Sequence, residues 1–194
     1  FRENLGPNNL LEKDGYIFVY QDVRGKFMSE GQFVDVRPYK TVRNGSKDID
    51  ESTDAYDSIS WLLKNVKNNN GKVGMWGISY PGFYAAMGAL SKHPNLVAVS
   101  PQAPVMDWFA GDDFHHNGAF FLPHAFNFFS SFGKIRNSLS TDGPAPFRYE
   151  TEDGYHFYRQ LGPLEYANKK YLNYEIPFWN ELMAHPDYDA FWQE

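Results

Sequence analysis

Ser79 lies in the run Gly77-Ile78-Ser79-Tyr80-Pro81-Gly82, between a short apolar stretch, Lys72 to Trp76, and a helix-like stretch, Phe83 to Leu90. A serine between glycines at a strand-to-helix turn has the makings of a nucleophile elbow. Such a turn is sharp, and glycine relieves the crowding because it has no Cβ. The serine oxygen then stands clear, and the first turn of the following helix offers backbone N–H groups to a developing oxyanion. The general pattern has glycine two residues after the serine. Here that place is Pro81, and Gly82 follows it. Proline fits a first helical turn, where its missing N–H would have had no partner. These six residues alone are equally consistent with an ordinary glycine-rich turn and a solvated serine.

Other residues could carry chemistry. Asp112 and Asp113 precede an aromatic run. A carboxylate there can meet a cationic group in a partly dry pocket, or can cap a helix over Phe114–Phe121. His115 and His116 beside two aspartates suggest a metal, but neighbours on a helix point about 100° apart and cannot easily share one ion. No metal site is expected. His93, His124, His156 and His185 are each conceivable as a catalytic base, and nothing around them in the sequence favours it. Asp22 and Arg24 read as an ion pair fixing a loop. Asp187 and Asp189 read as caps or braces for the last segment.

The elements that must position Ser79 follow from periodicity. Gly15 to Gln21 is β-branched, aromatic and nearly all apolar, which predicts a buried strand. Ser52 is placed to cap a helix with Asp54 in its first turn, and Ile59, Leu62, Leu63 and Val66 recur at helical spacing. Asn68-Asn69-Asn70-Gly71 ends that helix. Val73–Trp76 is a second strand. Phe83, Ala86, Met87 and Leu90 form the apolar face of the next helix, which His93-Pro94 stops. Leu96–Ser100 is a third strand. Alternating strands and helices predict parallel strands in an α/β sheet. After about residue 106 the composition changes, with nine aromatics from Trp108 to Phe132. Residues 133–153 read as a long loop, and 154–194 as short helices broken by Pro163, Pro177 and Pro186. The expected division is a core segment, 1–106, and a mostly helical, aromatic cap, 107–194, over the sheet edge where open α/β sheets bind ligands.

Bulk properties narrow the function classes. The chain has 194 residues, a net charge of −6 and no cysteine. It has no basic run, so a nucleic-acid partner is not expected. No apolar stretch approaches the roughly 18 residues of a membrane span. Disulfides, thiolate metal sites and cysteine nucleophiles are excluded. The 17 Phe, 13 Tyr and 5 Trp suit a large core or a ligand-facing pocket. The sequence starts at Phe1, so the true N-terminus is expected to lie upstream.

Several motifs together resemble one family. Gln21-Asp22-Val23-Arg24-Gly25-Lys26-Phe27 with Ser29-Glu30-Gly31 is similar to the Asp-x-Arg-Gly loop of the serine acyl-hydrolases that include α-amino acid ester hydrolases, cocaine esterase and X-prolyl dipeptidyl peptidases. The turn Gly-x-Ser-Tyr-x-Gly matches that family's form, including the place of its last glycine. Gly111 to Phe120 and His185 to Trp192 resemble the α-amino acid ester hydrolase branch. The resemblance implies the central part of an α/β-hydrolase domain with a helical cap. It implies an acyl-enzyme on Ser79, with the backbone N–H of Tyr80 holding the oxyanion and Asp113 holding a substrate's α-ammonium group. The substrate would be a small ester or amide bearing an α-amino group, with no cofactor and no metal. A periplasmic or secreted location and a homo-oligomer would fit the family. The family's triad aspartate and histidine lie beyond the Asp-x-Phe-Trp segment, and its oxyanion tyrosine lies upstream of the first strand. The chain is therefore expected to be an internal piece that is inactive alone. The alternatives are an X-prolyl dipeptidyl peptidase or cocaine-esterase-like hydrolase and, in another class, a non-catalytic binding fragment.

Overall fold

The computed structural model describes residues 5–6, 8–111 and 113–194. After a short helix α1 (Asn9–Lys13), residues 14–50 form no regular element. The strand expected at 15–21 is absent. Tyr16, Ile17, Val19 and Tyr20 are at least half exposed, and no neighbouring strand pairs with them among the described residues. β-branched composition favours a strand only when a ladder and a packed face are available. Loop 22–31 is instead closed on itself. Gly25 N–H donates to Glu30 O, Lys26 N–H to Val23 O and Ser29 Oγ to Asp22 O. Arg24 pairs with Asp54 rather than with Asp22, through Nε at 2.7 Å and Nη2 at 2.6 Å. A two-point contact of this kind matches the guanidinium fork to a carboxylate.

Helix α2 (Glu51–Asn65) starts two residues earlier than expected, and its N-cap is Asp50, not Ser52. Asp50 accepts from Thr53 N–H, Thr53 Oγ1 accepts from Asp50 N–H, and Ser52 is buried with its hydroxyl donating to Asp50. This is a reciprocal capping box. The asparagine run does end α2. Asn68 and Gly71 have positive φ, and Asn69 Nδ2 donates to Leu63 O and Val66 O.

Strand β1 (Val73–Ile78), helix α3 (Tyr80–Leu90) and strand β2 (Leu96–Gln102) follow in the expected order. The strands are parallel, from Val73 opposite Leu96 to Ile78 opposite Gln102, with an irregularity after Val73. Tyr80, Phe83 and Met87 of α3 pack with Phe33 in a small core.

The aromatic half begins with a hairpin of β3 (His115–His116) and β4 (Ala119–Phe120). No helix covers 114–121, contrary to the reading in which the aspartates cap one. Asn117 and Gly118 both take positive φ, the two-residue turn that suits right-twisted strands. Helices α4 (Leu122–Phe132), α5 (Gly154–Leu161) and α6 (Glu165–Ala167), a π-helical turn at Asn168–Leu172 and α7 (Pro177–Ala184) complete the chain. Pro177 starts α7 rather than breaking a helix. Phe126, Phe129, Leu161, Ile176 and Trp179 are almost fully buried at the centre of this second core. Val36, Trp108 and Phe128 touch both cores. Among the described residues no helix is long and apolar enough to cross a membrane.

Candidate active site at the strand–helix turn

The turn between β1 and α3 puts Ser79 at φ 63° and ψ −123°, a backbone state that non-glycine residues rarely hold. Its N–H donates to Gln102 O at the end of β2 (2.9 Å), and its carbonyl accepts from Phe83 N–H (3.1 Å). Its side chain makes no capping hydrogen bond to α3, and the residue is exposed. The backbone is thus fully engaged while Oγ is left outside. The two glycines are steric necessities. A Cβ on Gly77 would run into the backbone of Pro81. One on Gly82 would lie 2.6 Å from Gln102 O and 3.1 Å from Pro104 Cα. The shifted last glycine is where α3 meets the end of β2.

Tyr80 is the first residue of α3, so its N–H belongs to the turn whose amides have no intrahelical acceptor. Its side chain is buried. The phenol accepts from Val36 N–H (2.9 Å) and donates to Asp35 Oδ1 (3.1 Å). Its ring packs against Phe83, Tyr84, Trp108, Phe128 and Phe132. Burial, with the nearby Asp35 charge, raises the Tyr80 pKa well above the usual phenol value, so the hydroxyl stays protonated and donates. Burial also pushes Asp35 up to about 6, against the opposing pull of Lys26 and the Tyr80 hydrogen bond. The sequence reading passed over Asp35. Its signal was an acid inside the apolar run Phe33-Val34-Asp35-Val36.

Asp113 is half-buried and does not cap a helix. Its neighbour Phe114 stacks on Trp108 (4.7 Å), and Trp108 meets Tyr80 edge-on (6.0 Å). Two ring contacts therefore link the Asp113 segment to the residue after Ser79. Asp112 lies outside the described residues.

The histidines are occupied elsewhere. Asn95 N–H donates to His93 Nδ1 (3.1 Å), so the neutral ring carries its proton on Nε2 and donates it to Ser60 Oγ (3.1 Å). That tautomer cannot act as base toward Ser60. His115 and His116 sit on a strand, not a helix, and alternate sides: one is buried and the other exposed. His115 stacks on Phe109 (4.2 Å), and burial lowers its pKa. His124 packs on Phe114. His156 bonds Gln160 (2.7 Å). His185 bonds Asp189 (2.6 Å), and Asp189 also accepts from Phe191 N–H, so Asp189 braces the last segment. Among the described residues no three His, Asp or Glu side chains are placed to hold a metal ion.

A parallel β–α–β unit with a strained serine at its first strand–helix turn has the form of an α/β-hydrolase, and solved structures of hydrolases are similar in fold to this chain. An α-amino acid ester hydrolase superposes with a TM-score of 0.80 at 39% identity, over 94% of this chain and 29% of its own. An aminopeptidase from the marine sediment archaeon Thaumarchaeota archaeon gives 0.82 at 36% identity, with the same coverage. The profile of the X-Pro dipeptidyl-peptidase (S15) family matches residues 3–194, and the chain belongs to that family of hydrolases. Cocaine esterase of Rhodococcus sp. (strain MB1 Bresler) is 35% identical over 121 residues, which is 61% of this chain and 19% of the esterase. The chain thus spans less than a third of each of these relatives.

Proposed function

We propose that the whole protein is a serine hydrolase that cleaves or transfers acyl groups of α-amino acid esters or amides, with Ser79 as nucleophile. The observation that carries this is Ser79 at φ 63°, backbone engaged and side chain free, between two glycines that admit no Cβ. A triad base removes the Ser79 proton as Oγ attacks the acyl carbon. The Tyr80 N–H holds the oxyanion, the leaving group departs with a proton, and water or another acceptor releases the acyl group. No hydrogen bond joins a histidine to the Ser79 hydroxyl among the described residues, so residues 1–194 alone should give no Ser79-dependent turnover. A substrate with a free amine is supported by the partly buried carboxylate of Asp113 in an aromatic setting. It is also supported by the names of two relatives, an α-amino acid ester hydrolase and an aminopeptidase.

The first test is covalent. A fluorophosphonate should label Ser79 of the whole protein, and Ser79→Ala should lose about 10⁴-fold or more in kcat. An adduct mapped to another residue overturns the assignment. The second test concerns the amine. Asp113→Asn should lower kcat/KM for an α-amino ester by about tenfold, roughly 1.4 kcal/mol of transition-state binding, and largely spare the des-amino ester. Equal loss on both esters would make Asp113 a structural residue.

A further inference from the structure

Beneath the Ser79 turn lies a partly buried polar chain that packing alone does not call for. The Tyr80 ring is enclosed by five aromatic side chains and would be held by them as a phenylalanine. Instead it carries a hydroxyl, and that hydroxyl is met by two partners from one segment, Val36 N–H and the Asp35 carboxylate. Burying a carboxylate is unfavourable unless it is bonded and paired. Asp35 is bonded to Tyr80, and among the described residues its charge also acts on Tyr84 of α3 and is countered by that of Lys26 on loop 22–31. Lys26 is itself fixed. Its Nζ donates to Phe132 O at the end of α4 (2.7 Å) and lies over the Phe33 and Phe132 rings at 3.8 and 4.5 Å. Arg136 then ties Gly25 O and Ser29 O of the same loop to the chain beyond α4.

The chain ends at the peptide that matters for chemistry. Tyr80 has its backbone in the Ser79–Tyr80 peptide and its phenol fixed to segment 35–36. The depth and rotation of its side chain therefore set where its N–H points. Ser79 is in a rarely populated backbone state, which persists only when its surroundings hold it there. An oxyanion donor works by being placed before charge develops, and loses most of its value if it must reorganise.

We propose that Asp35 is a positioning residue: by accepting the Tyr80 hydroxyl it fixes the Tyr80 N–H at the oxyanion site. This rests on the assignment of Ser79 as nucleophile and Tyr80 N–H as oxyanion donor. Asp35 touches no substrate and acts through Tyr80 alone.

The experiment uses the whole protein with an α-amino acid p-nitrophenyl ester, active sites being counted by fluorophosphonate titration. Tyr80→Phe and Asp35→Ala should each lower kcat per titrated site by about tenfold, with KM changed by no more than about twofold. The double variant should be no worse than Tyr80→Phe alone, because that change has already cut the link Asp35→Ala removes. Asp35→Asn, whose amide oxygen still accepts from the phenol, should recover a measurable part of the Asp35→Ala loss. An α-amino boronic acid, which forms a tetrahedral adduct on the serine, should bind more weakly in step with the fall in kcat. Unchanged kcat per titrated site, with only a lower melting temperature, would overturn the proposal, as would additive losses in the double variant. Should Asp35→Ala fail to fold, Tyr80→Phe decides. Retained activity in Ser79→Ala would instead remove the underlying assignment, so the two failures are told apart.

Discussion

The turn around Ser79 and the aromatic half of the chain are both tightly packed, but different atoms hold them. At the turn, backbone meets backbone. Gln102 O receives Ser79 N–H and also abuts Gly82, and the Pro81 backbone closes on Gly77. In the aromatic half, side chain meets side chain. Phe126 alone contacts Phe147, Phe157, Tyr158, Tyr171 and Trp179. A core of interlocking rings answers to total volume and shape, and neighbours can shift to absorb a modest change. A backbone seat answers to single atoms and has nothing to move. The exact backbone geometry of the Ser79 turn is kept where adjustment is impossible, and bulk stability where it is possible.

That contrast can be broken at either end. The largest loss of stability should come from the aromatic side. Trp179 is fully buried, and Trp179→Ala should cost about 3–5 kcal/mol, read from urea unfolding. A cost near zero would mean that the rings do not form the principal core. On the backbone side, Gly82→Ala adds one carbon against Gln102 O and should cost less stability, about 1–3 kcal/mol. Its effect on fluorophosphonate labelling of Ser79 should nonetheless be the greater. A Gly82→Ala protein that labels at the normal rate would refute the claim that the turn admits no extra atom.

The smallest effect concerns two neighbouring acids at the start of α2. Burial alone would raise the Asp50 pKa. Hydrogen bonds from Ser52, Arg43, Lys40 N–H and Thr53 N–H outweigh it and bring the carboxyl down to about 2. Glu51, also buried, has charged neighbours of both signs, and burial dominates, pushing it up to about 7. The signs are opposite. The stability from Asp50 is complete above its ordinary value of 3.8 and is lost as pH falls through about 2. Glu51 keeps a proton in the folded state that the unfolded chain has released, so stability falls as pH rises from 4.5 to about 7. Asp35 adds a decline of the same sign between 3.8 and about 6. Glu51→Gln should therefore raise the melting temperature by about 2–4 °C at about pH 8 and leave it unchanged at about pH 4. The same gain at both pH values would show that charge is not the cause.

Much of the β–α–β unit was legible because its signals are local. Ile59 and Leu62 mark α2, and Phe83 and Met87 mark α3. The glycines around Ser79 declare a crowded turn. Gly15–Gln21 misled because composition reports what a strand would like to bury, not whether a partner is beside it. The hairpin at His115–Phe120 did carry a local signal, Asn117-Gly118, hidden by the aromatic run around it. The link from Asp35 to Tyr80 spans distant parts of the sequence, so no local pattern encodes the pairing. Only the misplaced acid in an apolar run hints that a partner exists.

The bond from Ser79 N–H to Gln102 O also has a meaning in time. The turn is unfavourable by itself, and its acceptor lies at the far end of the next strand. The geometry of the Ser79 turn therefore cannot assemble before β2 docks on β1, and it is dismantled whenever β2 lifts away. Hydrogen exchange at the Ser79 amide should report that opening directly. A protein could keep most of its rings packed, and most of its spectroscopic signature of foldedness, while passing through moments in which the Ser79 turn is undone.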